Sequence, residues 1–329
     1  RPTGQKIGII TLPTFYSDCT AKQAGDPHYR STTRDVKQLL EELNEQEIEG
    51  VVVDLRNNGG GSLQEAYELF GLFIPRGPVV QIQSAGGRTD VRGDRDPSIS
   101  WEGPMSVLVN RLSASASEIF AGAVQDYGRG LVIGSQTFGK GTVQALLPVN
   151  EGQLKLTIAK FYRISGQSTQ HQGVIPDIQF PSAFDPTEIG ESALDTALPW
   201  DQIRSLRYRP IDTPQARLAQ LIDRHQARIA TDPDFKALLK RTERALELSG
   251  ETGISLHLET RIQEREANNQ ALLDIENMRR GSLGMETAQS ISELEAAAKE
   301  DDVSSDASLM ESARILLDEI QINRRLAGL

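Results

Sequence analysis

The sequence predicts an α/β core built on a mixed sheet, followed by a mostly helical C-terminal domain. The first observation behind this prediction is that short apolar runs and helix-like patterns alternate three times between residues 6 and 133. The second is a change of composition near residue 185, after which prolines recur and apolar residues adopt helical spacing. We therefore expect a core over residues 1–184, a linker or extended arm over 185–212 and a helical accessory domain over 213–329.

Composition and charge limit the classes of function. The chain has 329 residues, which is typical of about two domains, and a net charge of −11 that argues against nucleic acid as the main partner. A single cysteine, Cys19, excludes an internal disulfide and a cysteine-cluster metal site. No apolar stretch reaches about 18 residues, so no membrane span is predicted. The chain begins at Arg1 without a methionine, and we interpret it as a fragment or mature form without a visible signal peptide.

The first two strand–helix pairs follow from local patterns. Strands are predicted at Lys6–Leu12 and Val51–Leu55, because each run is almost continuously apolar. Apolar residues three and four positions apart predict helices from Thr33 to Gly50 and from Ser62 to Phe73. The second helix opens with a Ser-x-x-Glu capping box. The polar residues 17–31 are expected to form a loop before the first helix.

The remaining elements of the core alternate in the same way. Further strands are predicted at Val79–Gln83, Met105–Val109, Leu131–Ile133 and Gln153–Tyr162. Residues 84–100 are expected to form a loop, and a helix from Ser117 is expected to end near Gly128. The alternation implies a partly parallel sheet, in which reactive groups lie where the strand-to-helix turns converge.

The region after residue 212 is predicted to be helical, and its last helix is expected to span roughly Leu309 to Ile322. Mixed charge fills the positions between its apolar residues, which is typical of solvated helix faces. No reactive cluster is visible there. We therefore expect residues from about 186 onward to be dispensable for any chemistry and to be used for contacts with partners or substrates.

The stretch that suggests chemistry contains three serines and a lysine. Ser113, Ser115 and Ser117 precede an apolar helix, and Lys140 lies 25 residues after Ser115. A serine hydroxyl is a weak nucleophile until a base removes its proton. Because none of the four histidines lies near in sequence, Lys140 is the nearest candidate base, and Ser-Lys pairs are a recognised arrangement.

Ser115 also has a purely structural interpretation. With Glu118 three residues later it fits a capping box, in which the two side chains satisfy free amides at the start of a helix. The two roles are compatible, since a helix N-terminus offers free amides and a positive dipole to a developing oxyanion. The residues by themselves leave both roles open.

The glycine-rich stretches raise the question of a nucleotide site. Gly59–Gly61 lies between a predicted strand and a predicted helix, which suits either an anion site or a tight turn. The Gly-x-Gly-x-x-Gly spacing of a dinucleotide site is absent there. Residues 134–140 match a phosphate-binding loop, but Gly141 stands where that loop needs serine or threonine. Nucleotide binding is therefore not predicted.

Three motifs together carry a resemblance to a known family. They are Asp-Leu-Arg-Asn-Asn-Gly-Gly-Gly at 54–61, Ser-Ala-Ser-Ala-Ser-Glu at 113–118 and Thr-Phe-Gly-Lys-Gly-Thr-Val-Gln at 137–144. In this order, and with this serine-to-lysine spacing, the chain resembles the carboxyl-terminal processing proteases, and most closely the bacterial tail-specific type. The resemblance implies that residues 1–184 are a Ser/Lys protease core. The helical region is similar to the long carboxy-terminal extension of tail-specific proteases.

The resemblance also implies roles for individual side chains. It makes Ser115 the nucleophile, Lys140 the general base and Gln144 the residue that orients the lysine. An acidic position associated with activity in the family corresponds to Asp126. The alternative for Asp126 is a structural role at the end of a helix.

The oxyanion hole implied by the resemblance consists of backbone amides of Gly60 or Gly61 together with Ala116. Glu118 and Thr137 match motif positions that would support the site. No metal and no cofactor are implied.

The proposed chemistry makes a physical demand on Lys140. A lysine base must be neutral, although its ordinary pKa is about 10.4. Burial and distance from carboxylates lower the pKa of an amine. The flanking Gly139 and Gly141 would let the backbone pack closely around it.

The function implied by the resemblance is a serine endopeptidase of the bacterial periplasm that cleaves proteins recognised through unstructured or apolar C-terminal tails. A helical-repeat lipoprotein adaptor is one implied partner. Family members carry a PDZ domain upstream of the core, and there is no room for one before Lys6. Two alternatives stay open: a non-catalytic scaffold that binds tails or an adaptor, and a hydratase-type fold that acts on acyl-thioesters.

Overall fold

The computed structural model describes residues 4–212, 215–251, 253–297, 303–326 and 328. Its strands are β1 (Ile7–Thr11), β2 (Gly50–Asp54), β3 (Gly77–Ser84), β4 (Thr89–Asp94), β5 (Met105–Val109), β6 (Leu131–Gly134), β7 (Thr142–Val149), β8 (Gly152–Tyr162) and β9 (Ile178–Gln179). Its α-helices are α1 (Cys19–Gln23), α2 (Thr32–Glu45), α3 (Leu63–Gly71), α4 (Ala116–Tyr127), α5 (Gln215–Ile229), α6 (Pro233–Ser249), α7 (Leu258–Ser282), α8 (Ile291–Ala297) and α9 (Ala307–Leu326).

The strands form two sheets, one parallel and one antiparallel. The parallel sheet has the order β1-β2-β5-β6-β9, and the antiparallel sheet has the order β4-β3-β8-β7. The predicted mixed α/β class is therefore confirmed. Because the carboxyl ends of parallel strands share one edge of a sheet, the loops after β2 and β5 emerge side by side.

The sequence patterns missed the two edge strands of the antiparallel sheet. Residues 84–100 were expected to form a loop, but β4 lies within them and pairs with β3 as a hairpin. β7 pairs with β8 and was also not predicted. The side chains of both edge strands are largely exposed, so the strands are held in the sheet by backbone hydrogen bonds. Their sequences therefore show little alternation of apolar and polar residues.

Several helix boundaries also differ from the predictions. The expected loop over 17–31 contains the five-residue helix α1, which Asp18 caps by accepting the Ala21 amide at 2.9 Å. Helix α2 ends at Glu45 and does not reach Gly50. Glu47 adopts a positive φ of 55°, which ends the helical path before β2 begins.

The parallel sheet is covered on both faces, as such sheets require. Val51 and Val53 of β2 face a core shared with α2, α3 and α4, in which the Phe120 ring packs edge-to-face on Phe70 with a centroid distance of 5.9 Å. Val52, on the opposite face, belongs to a second core that contains side chains of α5, α6 and α9. The C-terminal helices thus bury one whole face of the sheet.

Candidate active site

The loops that follow β2 and β5 are joined into one unit. The side-chain amides of Asn57 and Asn110 pair, with Nδ2 of Asn110 donating to Oδ1 of Asn57 at 2.8 Å. Oδ1 of Asn110 accepts the Asn57 backbone amide at 2.9 Å. The Asn58 carbonyl accepts the Ala114 amide at 3.0 Å. The glycine loop and the serine loop therefore cannot shift independently without breaking these three hydrogen bonds.

Ser115 lies in a strained backbone conformation at the start of α4. Its φ of 58° and ψ of −110° are unusual for a residue with a side chain, and such outliers concentrate at functional sites. Its backbone amide donates to Oε2 of Glu118 at 2.8 Å, which is the carboxylate half of the predicted capping box. Ser115 lines an open cavity together with Lys140 and Gln144.

The other two serines have structural partners. Oγ of Ser113 donates to the Leu55 carbonyl at 2.7 Å, and Oγ of Ser117 donates to the Asn58 carbonyl at 2.9 Å. Both serines are fully buried. Of the three, Ser115 alone lines the cavity, so it is the serine available to a substrate.

Lys140 lies on the loop between β6 and β7, facing the same cavity. Its Nζ donates to Oε1 of Gln144 at 3.2 Å, and within the described residues no hydrogen bond joins it to Oγ of Ser115. Burial, and secondly the charge of Lys155 on β8, lower the pKa of the Lys140 amine. Both influences favour the neutral form that a general base requires.

The glycines beside Lys140 allow other loops to approach closely. A Cβ atom on Gly139 would lie 2.7 Å from the His171 carbonyl oxygen, and one on Gly141 would lie 2.8 Å from the Gln170 amide nitrogen. Neither contact leaves room for a side chain. The lysine loop is consequently held against residues 170–171.

Glu118 connects the serine loop to the lysine loop. Its fully buried carboxylate accepts four hydrogen bonds: from the amides of Ser115 (2.8 Å), Lys140 (2.9 Å) and Gly139 (2.7 Å) and from the Thr137 hydroxyl (2.6 Å). Burial raises the pKa of Glu118 to about 7, and the four hydrogen bonds act against that rise. Glu118 and Thr137 therefore join the start of α4 to the loop that carries Lys140.

The expected oxyanion hole is only partly available. The amide of Gly60 already donates to Oδ1 of Asn58 at 2.9 Å, so the alternative that used Gly60 is wrong. Gly61 and Ala116 both line the cavity. Neither of their amides donates to an acceptor in the part of the chain that the structure describes. Free backbone donors on a cavity that Ser115 also lines are the kind of group that stabilises a tetrahedral oxyanion.

Comparison with known families agrees with this geometry. The family model of peptidase family S41 matches residues 6–180. The chain belongs to peptidase family S41. A second model, described as the C-terminal domain of tail specific protease, matches residues 184–321.

Known S41 relatives are similar to this chain over much of its length. A tail-specific protease of Haemophilus influenzae is 39% identical over 98% of this chain and 46% of its own. A chloroplastic C-terminal processing peptidase of Tetradesmus obliquus is 35% identical over 56% of this chain and 37% of its own. A solved photosystem II D1 C-terminal processing protease is 35% identical, with a TM-score of 0.46 over 55% of this chain and 42% of its own. The chain spans less than half the length of each.

Asp126 lies outside the cavity of this S41 chain. It is ten residues after Ala116 on α4, which corresponds to about 15 Å along a helix. Its carboxylate accepts hydrogen bonds from Arg163 (Nε, 3.1 Å) and from the Ser165 hydroxyl (3.3 Å). The catalytic assignment of Asp126 does not fit this position, because an ion pair with Arg163 occupies its oxygens.

Asn58 is a site residue that the sequence analysis did not identify. Its Nδ2 donates to the Leu12 carbonyl at 2.8 Å, and its Oδ1 accepts the Gly60 amide. These bonds hold the glycine loop against the end of β1, next to Gly61, which lines the cavity. An asparagine between a strand and a glycine run is a typical turn signal that could have indicated it.

The extended arm supports the lysine loop. Oε1 of Gln170 accepts the Gly141 amide at 2.8 Å, and its Nε2 donates to Glu191 of the arm at 3.0 Å. The buried Arg111 donates to the carbonyls of Thr137 and Ile189, which joins the arm to the start of the lysine loop. No short-range pattern encodes these contacts.

Within the described ranges, no three metal-binding side chains come together in a group suited to an ion. None of the described helices is both long and apolar enough to cross a membrane.

Proposed function

We propose that this S41 chain contains the catalytic machinery of a serine endopeptidase, with Ser115 as nucleophile and Lys140 as general base. The observation that carries the proposal is that one cavity brings together Ser115, Lys140 and the free amides of Gly61 and Ala116. The strained backbone of Ser115 and the lowered pKa of Lys140 support it.

In the proposed reaction Oγ of Ser115 attacks the scissile carbonyl carbon while its proton passes to neutral Nζ of Lys140. The resulting oxyanion accepts hydrogen bonds from the amides of Gly61 and Ala116. Lys140 then donates the proton to the leaving nitrogen, and the C–N bond breaks to give an acyl-enzyme. Deprotonated again, Lys140 activates a water molecule that hydrolyses the ester and restores Ser115.

Gln144 has a positioning role in this scheme. Its Oε1 accepts one N–H of Lys140, which restricts rotation of the amine. A neutral amine retains a lone pair when it donates in this way, and that lone pair can accept the Ser115 proton. Formation of the dyad then requires the lysine amine to come within hydrogen-bond reach of Oγ of Ser115.

For the biological role, we propose cleavage of proteins whose C-terminal tails are unstructured or apolar, in the periplasm of a bacterium. Relatives named as tail-specific and C-terminal processing proteases support this class of substrate. A helical-repeat lipoprotein adaptor is the proposed partner. The alternative is a non-catalytic tail-binding scaffold, favoured by the missing hydrogen bond between Ser115 and Lys140.

Labelling with a fluorophosphonate probe, followed by peptide mapping, tests the proposal. We expect modification of Ser115 in the native chain and none in Ser115→Ala or Lys140→Arg, because arginine stays charged. Lys37→Arg, an exposed change on α2, is the matched control and should label normally. Absence of labelling in the native chain would favour the scaffold, and labelling of Lys140→Arg would remove the lysine from the mechanism.

A further inference from the structure

Arg56, at the start of the glycine loop, is held from two sides. Its Nε and Nη2 donate to the carboxylate of Asp54 at 3.0 and 2.6 Å. Its Nη1 and Nη2 donate to the carboxylate of Asp306 at 3.1 and 2.6 Å. The guanidinium plane is therefore fixed by a bidentate contact on each side, a geometry that only arginine provides.

Asp306 belongs to the C-terminal helical region and stands immediately before α9. The same carboxylate that binds Arg56 accepts the Leu309 amide at 2.9 Å and so caps this 20-residue helix. The loop beside the nucleophile and the start of α9 thus share one carboxylate group, although 250 residues separate them in sequence.

The direction of α9 places its N-terminus at the catalytic edge of the sheet. Leu316 and Ile320 lie against Gly50, at the beginning of β2. Farther along the helix Arg324 pairs with Glu49 at 2.7 Å. The helix therefore runs antiparallel to β2, and its N-terminal end meets the loop that follows the strand.

The position of Arg56 matters for the site because the loop from Arg56 to Gly61 is short and tightly bonded. The Arg56 amide donates to Asp54 and the Asn57 amide donates to Asn110. Gly61 supplies one of the two proposed oxyanion donors, and such a donor must lie within a few tenths of an ångström of its productive position. Movement at the start of the loop is transmitted to that donor.

We infer that Arg56 and Asp306 form a positioning pair through which the C-terminal helical region holds the oxyanion loop in its productive geometry. The inference rests on the proposed function of the Ser115 site. It reverses the expectation that the helical region is dispensable for the chemistry. The side chains of Arg56 and Asp306 are 23% and 33% exposed, so solvent screens their attraction only in part and the contact is firm enough to fix the geometry of the loop.

Asp306→Asn is the decisive variant, because asparagine caps a helix as well as aspartate does but removes the charged contact with Arg56. The matched control is Glu49→Gln, which removes the other ion pair between α9 and the core at the end distant from the site. We expect the fluorophosphonate labelling rate of Asp306→Asn to fall about tenfold, since small misplacements cost up to about 100-fold. The rate of Glu49→Gln should stay within about twofold of the native rate, with both variants fully folded at the assay temperature.

Amide hydrogen exchange over residues 55–61 gives a readout independent of catalysis. The amides of Leu55, Arg56, Asn57, Asn58 and Gly60 are all hydrogen-bonded. We expect them to exchange faster in Asp306→Asn and at the native rate in Glu49→Gln. The double variant Arg56→Lys with Asp306→Asn should label no more slowly than the slower single variant, because both substitutions break the same contact between the two side chains.

Each result decides a separate question. Equal exchange and equal labelling in Asp306→Asn and Glu49→Gln would overturn the positioning pair. Absence of Ser115 labelling in the native chain would overturn the proposed function, while the exchange measurement would still show whether α9 holds the loop. Faster exchange and slower labelling confined to Asp306→Asn would support both.

Discussion

The backbone amides of Ser115 and Lys140 donate to the same atom, Oε2 of Glu118, at 2.8 and 2.9 Å. The proposed nucleophile and base are therefore held at a fixed separation through their main chains, although their side chains make no direct hydrogen bond. A buried acceptor common to both loops fixes the separation of their backbones, while Gln144 holds the lysine amine.

Replacement of Glu118 by glutamine tests this connection. The glutamine NH2 group would face amide donors that need an acceptor, leaving buried donors unsatisfied at about 1–3 kcal/mol each. We expect a lower unfolding temperature and at least about tenfold slower fluorophosphonate labelling of the folded protein. Glu42→Gln, on the exposed face of α2, is the control. Native labelling by Glu118→Gln would show that the two loops are held by other contacts.

The pH dependence of labelling should report the environment of Lys140. Its pKa is lowered by burial and by Lys155, so a larger neutral fraction exists at a given pH, and activity should rise as pH increases through that lowered value. Lys155→Gln removes one of the two causes and should shift the acid limb of the profile to higher pH. Lys155→Arg keeps the charge and should leave the limb in place. Identical pH profiles for Lys155→Gln and the native chain would contradict the assignment of the acid limb to Lys140.

The strained backbone at Ser115 predicts that glycine is tolerated there better than alanine. Glycine adopts a φ of 58° without penalty, whereas alanine keeps the strain, so Ser115→Gly should be more stable than Ser115→Ala by about 1 kcal/mol. The usual preference of helix N-caps for glycine over alanine acts in the same direction. Neither variant should label. Denaturant unfolding of the two variants measures the difference, and equal stability would mean that the conformation relaxes when the hydroxyl is lost.

The structural position of Asp126 predicts that its loss affects folding more than chemistry. Asp126→Asn leaves Arg163 without its charged partner in a mostly buried pair, a change that costs about 3–5 kcal/mol when one partner is removed. We expect a clearly lower unfolding temperature and a labelling rate within about threefold of native for the protein that remains folded. If Asp126→Asn lost labelling while keeping the native unfolding temperature, Asp126 would be a catalytic residue.

The parts of the site that could be predicted are those encoded by short-range patterns. Ser115 and Lys140 were identified from a strand, a helix start and a spacing of 25 residues. The competition for the Gly60 amide was not predictable in the same way, since it depends on how the Asn58 side chain turns after the strand ends. Sequence position identifies the loop, whereas the hydrogen bonds within it decide which amide is free.

Long-range contacts account for most of what the sequence did not reveal. Asp306 and Arg56 are 250 residues apart, and Gln170 and Glu191 meet through an arm without regular periodicity. The helical region also showed no reactive cluster, which suggested that it could be removed. Its apolar residues instead complete the core on one face of the parallel sheet. Periodicity in the sequence indicates that a helix has an apolar face, but it does not indicate which part of the protein that face covers.

The packing of α9 on β2 has a consequence for the order of events during biosynthesis. Strand β2 leaves the ribosome some 250 residues before the helix that covers it, so a nascent chain carries Ser115 and Lys140 long before the sheet has its second face. Contacts of such high sequence separation form late in folding. We therefore expect Ser115 of a newly made chain to stay unreactive toward an acylating probe until α9 docks on the sheet.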